Sequence, residues 1–297
     1  MNHIKGNNIF EIDSKDFLVF FATKIKIIHQ HTKEIILDIP FKYATHAEIT
    51  KKYIVIKSMD GKFLIIHKAN YNKQRVFNLK FKEPHDYKFC VTEDEKYIVT
   101  SHYNMINNQL LVISLNTGEI ARSIELKSKF ARNIFKEENK FYIEIIIPRT
   151  SYFQIGVWEY PFNDGPCYSD KKGMNMIRIG YNAISHQFII LSREDSFFKK
   201  AKSKLTLADI NLIPIKDLLL SSSDITFPGE VIWSNDGSKM IIISLGEFII
   251  VDKSLNIVIK NKVPHLYAAK FSLDGTKVFA IAEGIQILKI EELNIIQ

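Results

Sequence analysis

The sequence repeats itself, and the period of the repeat constrains the fold more than any other feature. Trp233-Ser-Asn-Asp-Gly-Ser-Lys-Met-Ile-Ile-Ile-Ser244 and Phe271-Ser-Leu-Asp-Gly-Thr-Lys-Val-Phe-Ala-Ile-Ala282 share one plan: a strand end, an Asp-Gly turn and an apolar strand. Asp-Gly between apolar runs is a strong hairpin signal, because glycine accepts the positive φ that tight turns need. A further pair, Pro84-His85-Asp86-Tyr87 through Tyr97 and Pro264-His265-Leu266-Tyr267 through Val278, carries the match upstream into the incoming loop, the later hairpin being one residue longer. Weaker copies stand at Ile12 to Phe21, Ile49 to Lys57, Phe135 to Ile146 and Tyr181 to Leu191, with Lys, Asn or Ser in place of the turn glycine. The second strands of these seven copies begin near Phe17, Tyr53, Tyr97, Phe141, Phe188, Met240 and Val278, at spacings of 36, 44, 44, 47, 52 and 38 residues. A period of about 40 to 45 residues is that of a propeller blade.

A third apolar strand follows each hairpin, as at Gln109 to Leu115 and Glu247 to Asp252, and a fourth usually comes after it. The turn Asn116-Thr117-Gly118 marks that second transition. Four strands in each of seven units account for the 297 residues. The expectation is therefore all-β: a single seven-bladed β-propeller with four-stranded antiparallel blades near 7–40, 41–81, 82–126, 127–173, 174–223, 224–263 and 264–297. The last unit runs short at Asn294 to Gln297, so residues near His3 and Ile4 are expected to complete its outer edge. Composition agrees, with 48 Ile, 21 Phe and 12 Tyr against 13 Ala.

The units resemble the WD40 and YVTN-like β-propeller repeats. The matching residues are the Phe/Trp-Ser-x-Asp-Gly-x-Lys turns at 233 to 239 and 271 to 277, and Asn116-Thr117-Gly118-Glu119. The repeats are degenerate: no Trp-Asp or Gly-His dipeptide occurs, Val157-Trp158-Glu159 being the nearest equivalent, with His85 and His265 in the corresponding loops. The resemblance thus implies blade topology and not the family's hydrogen-bond network. That topology puts the connections from strand two to three, and from strand four to the next strand one, at the same end of the blades.

Several function classes lack their signatures. Apolar runs such as Phe17 to Ala22 fall short of the roughly 20 residues of a membrane helix, and Met1 to Lys15 lacks the apolar core of a secretory signal. Cys90 and Cys167 make no disulfide framework, which suits a reducing, cytoplasmic setting. No nucleophile elbow, phosphate loop or metalloprotease motif is present. Among nine histidines only His29 and His31 are closely spaced on one strand face, too few for zinc, so neither metal nor cofactor is expected. The net charge of +7 arises within residues 41 to 90, which favours acidic partners but lacks any nucleic-acid module.

Three consecutive two-to-three connections are long: Ser101 to Asn108, Pro148 to Phe153 and Ser192 to Ser203. They carry Tyr103, Met105, Arg149, Tyr152, Phe153, Arg193, Phe197, Phe198, Lys199 and Lys200, residue types enriched in interface cores. Packing between loops, or the start of a third strand in the case of Phe153, is the competing reading. The expected function is a non-enzymatic protein–protein interaction module, a scaffold or inhibitor that is itself monomeric and grips one protein partner through this loop face. No membrane association is expected. The rival is a small-molecule hydrolase or lyase resembling the YVTN-like lactonases, with His85, His265, Asp94 or Glu230 at a channel mouth.

Overall fold

The computed structural model describes residues 2–79, 88–102, 108–127, 129–147, 152–170, 172–173, 176–194, 202–221, 224–226 and 228–293. After a short strand β1 (Asn2–Ile4), the first blade holds β2 (Asn8–Glu11), β3 (Asp16–Phe20), β4 (Lys24–His29) and β5 (Ile35–Pro40), and the second β6 (Ala44–Ile49), β7 (Tyr53–Ser58), β8 (Lys62–His67) and β9 (Asn70–Asn78). The third has β10 (Phe89–Val91), β11 (Tyr97–His102), β12 (Asn108–Ser114) and β13 (Ile120–Lys127). In the fourth, β14 (Phe130–Glu137), β15 (Lys140–Ile146) and β16 (Tyr152–Glu159) are flanked by an outer strand in two pieces, β17 (Cys167–Tyr168) and β18 (Lys172–Gly173), both paired to β16. The fifth holds β19 (Met176–Asn182), β20 (Gln187–Glu194), β21 (Lys202–Ala208) and β22 (Pro214–Leu220), and the sixth β23 (Glu230–Trp233), β24 (Lys239–Ser244), β25 (Glu247–Asp252) and β26 (Ile257–Lys262). The seventh has β27 (Ala268–Phe271), β28 (Lys277–Ile281) and β29 (Ile285–Lys289), with β1 on its outer edge, where Asn2 faces Ile287 and Ile4 faces Ile285.

Every sheet is antiparallel, its strands following one another in chain order except where β1 joins β29 in the seventh, and the seven blades are arranged as a propeller. A single 3₁₀ turn, Ile290–Glu292, is the one helical element among the described residues, and none of their helices is long and apolar enough to cross a membrane.

Burial explains why the strands differ in sequence. Strands two and three of a blade are covered on both faces, so they read as unbroken apolar runs: Phe63, Leu64, Ile65 and Ile66 of β8 are all at most 1% exposed. Outer strands touch the protein on one face only, and β9 accordingly alternates polar and partly buried positions. Residues 14–173 form one compact unit, and residues 1–13 with 174–297 another. In the first, the core lies between successive blades: Val55, Phe63, Phe89 and Leu111 in one cluster, Val99, Val112, Phe141 and Trp158 in the next. The second unit repeats this with Leu191, Leu205, Ile242 and Ile249, then Ile243, Phe248, Ala269 and Val278.

Three of the turns from strand three to four, in the fourth, fifth and sixth blades, share a device that supports this packing. Phe162, Leu212 and Leu255 adopt left-handed backbone, at φ 68°, 63° and 62°. Each N–H donates back to the carbonyl three residues earlier, Glu159, Asp209 and Asp252, at 2.8, 3.0 and 3.0 Å. That conformation costs about 1–2 kcal/mol in an L-residue. Each of these side chains is only 3% exposed, and burying a large apolar group stabilises by about 1.5–3 kcal/mol, which offsets the strain.

Candidate functional site

Three of the ten loop residues singled out in the sequence fall within the described residues. Tyr152 opens β16 and is 49% exposed, whereas its neighbour Phe153 is 1% exposed and paired across the blade with Ile146. Phe153 is therefore a core side chain, on the opposite face of the strand from Tyr152 as the two-residue period demands. Arg193 is half-buried on β20, opposite Ser203. Tyr103, Met105, Arg149, Phe197, Phe198, Lys199 and Lys200 lie outside the described residues.

The enzyme candidates have structural neighbours. His85 is outside the described residues, and His265 is exposed, its Nε2 3.8 Å from Glu283 Oε1. Cys90 is buried, its thiol donates to the Ile134 carbonyl at 3.4 Å, and burial pushes its pKa well up, which disfavours the nucleophilic thiolate. The His29 and His31 rings lie 5.9 Å apart, and the described residues hold no group of three His, Cys, Asp or Glu able to bind a metal ion. Within 41–90, Lys57 is buried and donates to Thr100 Oγ1 at 3.1 Å, while Arg75 reaches Asn116 O and Oδ1 in the next blade at 3.0 Å each.

At the end of the blades where strand one turns into strand two, a hydroxyl and a carboxylate build the same hairpin three times. Ser234 donates to Asp236 at 2.6 Å and accepts from the Lys239 N–H at 3.1 Å, and Asp236 accepts from the Ser238 N–H at 3.0 Å. Ser272 and Asp274 repeat the pattern at 2.5, 2.9 and 3.0 Å, and Thr92 and Asp94 at 2.7, 3.0 and 3.1 Å. These bonds hold Asp236 and Asp274 down at about 2, the bonds from Ser234 and Ser272 contributing most. Asp94 also lies at about 2: burial opposes its charge, but the Tyr160 hydroxyl, 2.7 Å away, and Thr92 overcome it. The same bond pushes Tyr160 up to about 12.

Side chains then stitch each turn to the next blade. Asn182 Nδ2 donates to Gly237 O at 3.1 Å, Asn235 Nδ2 to Leu273 O at 3.3 Å, and the Leu273 N–H to Glu11. In the other unit the Lys52 N–H donates to Glu95 Oε1 at 2.8 Å.

Between the second and third blades this stitching frames a notch of about 390 Å³, lined by Glu48, Thr50, Lys51, Lys68, Glu93, Glu95 and Lys136 among others. At its base Glu48 Oε2 accepts the Val91 N–H at 2.7 Å, and Lys136 Nζ donates to Glu48 Oε1 at 3.0 Å and to Val91 O at 2.8 Å. Three successive blades thus meet in one ion pair whose side chains are 20% and 24% exposed. Burial raises the Glu48 pKa despite Lys136, whereas Lys136 is raised because the Glu48 charge outweighs its own burial. At the rim Lys51 bridges to Glu93 at 2.7 Å, with both side chains largely in solvent. No single sequence motif marks the notch, since its residues come from three blades; the one clue is an acidic Glu93-Asp94-Glu95 turn where two other repeats have Asp-Gly.

The opposite end of the blades differs. In the unit 14–173, Tyr43 and Met59 are 59% and 40% exposed and adjacent, the Met59 N–H donating to Tyr43 O at 2.9 Å. In the other unit the turn Ser244-Leu245-Gly246 raises Leu245 to 82% exposure, beside a connection that carries Tyr267 at 52%. That turn is held by Gly246 N–H to Leu266 O at 3.1 Å and Val263 N–H to Gly246 O at 2.9 Å.

No protein-family model matches the sequence, and no curated protein matches it. Solved structures do match in shape. Hydrazine synthase of Kuenenia stuttgartiensis superposes with a TM-score of 0.73 at 10% identity, over 99% of this chain and 97% of that one. The WD40 domain of Pan2 from Neurospora crassa gives 0.70 at 8% identity, over 96% and 89%. Dihydro-heme d1 dehydrogenase NirN, in complex with DHE, gives 0.64 at 13% identity, over 97% and 74%. At such identities the likeness is one of fold, and the chain is similar in fold to a WD40 domain and to other propeller proteins.

Proposed function

We propose that this propeller is a non-enzymatic protein-binding module that docks one partner on the end bearing the two-to-three and four-to-one connections. One observation carries the reading. Among the described residues of the unit formed by 1–13 and 174–297, the exposed large apolar side chains of the turns at this end are Leu245 and Tyr267, and Leu245 is more exposed than any other large apolar residue described. A leucine 82% in water contributes nothing to the core, and its turn is bonded to the connection that carries the exposed Tyr267, so the two offer neighbouring apolar surface to a partner. At the other end Ile184, Ile213 and Leu273 are exposed in turns, and Ile35, Ile36, Ile120 and Ile215 at the starts of outer strands, but each is less exposed than Leu245 and the turns there spend their polar groups on their neighbours. The fold neighbours do not choose between binding and catalysis, since two are named for enzymes and one for a WD40 domain.

The net charge of +7 makes an acidic protein the favoured partner, and the free Cys90 and Cys167 suit a cytoplasmic setting. The test is affinity capture from the native source after nuclease treatment, with wild type beside Leu245→Ser and Tyr267→Ser variants of unchanged melting temperature. Retention of one stoichiometric protein by wild type, lost in either variant, supports the reading. Equal retention by all three, or none by wild type at any salt concentration, overturns it.

A further inference from the structure

The notch between the second and third blades is lined by six ionised side chains, and their pairing leaves a remainder. Glu48 pairs with Lys136 at 3.0 Å and Lys51 with Glu93 at 2.7 Å. Lys68 and Glu95 have no ion-pair partner among the described residues. The half-buried Lys68 ammonium donates to the backbone carbonyl of Thr50 at 3.2 Å, and the half-buried Glu95 carboxylate accepts the backbone N–H of Lys52 at 2.8 Å. Lys51 is near enough to feel the Glu95 charge, but its ammonium is held by Glu93. The cavity therefore presents one cation and one anion that are not engaged in an ion pair among the described residues.

Glu95 is placed there against local preference. Its φ is 56°, and the equivalent positions of the sixth and seventh blades are Gly237 and Gly275, at 64° and 68°. In all three turns the N–H of this residue donates to the carbonyl of the hydroxyl residue, Thr92, Ser234 or Ser272, at 2.9, 2.9 and 3.0 Å. The turn is thus the same, and only this copy carries a carboxylate where glycine is free of strain.

We propose that this notch is a binding site for a small zwitterion of the α-amino-acid class, whose carboxylate pairs with Lys68 and whose ammonium pairs with Glu95. A ligand with one charge would satisfy one wall and leave the other unpaired, so the preference is for both charges together. The volume of about 390 Å³ lies in the range of small-molecule sites. The six charged side chains, Thr50, Thr92 and a single apolar residue, Ile49, line it without an aromatic side chain, so recognition is chiefly ionic and the affinity modest. Two sources share this chemistry, a free amino acid and the paired ends of a short peptide.

Calorimetric titration of the full chain with alanine and with alanylalanine tests the proposal and separates the two sources. N-acetylalanine and alaninamide serve as controls that each lack one charge. Binding of either zwitterion with a Kd of about 10 mM or tighter, weakened about tenfold or more in both controls, is the expected result. Lys68→Met and Glu95→Gln should each weaken it by a similar factor. Glu95→Gln keeps a carbonyl acceptor for the Lys52 N–H, and circular dichroism with a urea midpoint confirms that each variant is folded. Absence of binding by both zwitterions, equally tight binding of the singly charged controls, or undiminished binding by both folded variants overturns the proposal.

Discussion

The two ends of the blades are built from different chemistry. Where strand one turns into strand two, hydroxyls, carboxylates and amides are spent on one another: Ser234 on Asp236, Asn235 on the next blade's turn, Tyr160 on Asp94. Where strand two turns into strand three, two of the described turns are tipped with large exposed apolar side chains, Met59 and Leu245, although Ser58 beside Met59 also donates to Asp60 and accepts the Lys62 N–H. Polar groups satisfied internally hold blades in register and have little left to offer a partner, whereas an apolar tip in water costs solvation and recovers it only on association. The turns of the first end, apart from the notch, are spent largely on the fold, and the second is the end that the proposed docking would use.

The largest effect that could break this division lies at Phe153, which belongs to the docking end by position and to the core by burial. Phe153→Ala should lose about 3–5 kcal/mol in urea unfolding, and Tyr152→Ala, one residue away, less than about 0.5 kcal/mol. Equal losses would show that the end is one packed layer and not a surface over a core.

At the scaffold end, two glycines separate backbone strain from stitching. A Cβ on Gly275 meets nothing within 4 Å, so Gly275→Ala should cost only the left-handed conformation, about 1–2 kcal/mol. A Cβ on Gly237 would lie 2.6 Å from the Asn182 side chain, which donates to Gly237 O and caps the N–H groups of Ile184 and Ser185. Gly237→Ala should therefore cost about 1 kcal/mol more than Gly275→Ala by the same measurement. Equal costs would mean that the stitch adds no stability.

How much of this was legible in the sequence follows the same division. The repeat period, the strand positions and the Asp-Gly turns are local in sequence, and they read through to β24, β28 and their hairpins. The buried left-handed residues Leu212 and Leu255 were also there to be read, as an apolar residue three positions after Asp209 and Asp252, but a leucine does not announce positive φ. Phe153 and Tyr152 are indistinguishable by type, and only strand register separates them. The notch was out of reach, because Glu48 and Lys136 are 88 residues apart and meet only once three blades are stacked.

A smaller effect appears in the dependence of stability on pH. Asp236 titrates at about 2 in the fold against 3.8 for a free aspartate, so its contribution to stability is complete above pH 4 and is lost as the pH falls from about 4 to 2. Solvent screens this exposed group, which limits the contribution to about 0.5–1 kcal/mol. Asp236→Asn should lower the unfolding free energy measured in urea at pH 7 by that amount and flatten its pH profile below pH 4. Should the wild-type and variant profiles stay parallel down to pH 2, the turn carboxylates would not be what locks this end.

The smallest expected change in stability is the most decisive for function. Leu245 is 82% exposed, and its turn is held by the backbone bonds of Gly246 to Leu266 and Val263, none of which involves the leucine side chain. Leu245→Ser should leave the melting temperature within about 2 °C of wild type, since replacing an exposed apolar residue removes no buried area. A fall of several degrees would show the leucine packing against the connection beside it, and the docking end would then lose its most exposed anchor. An unchanged melting temperature together with lost partner capture is the pattern of a side chain kept for association alone, and it would place the function of the molecule at the end where its apolar groups are not used by the fold.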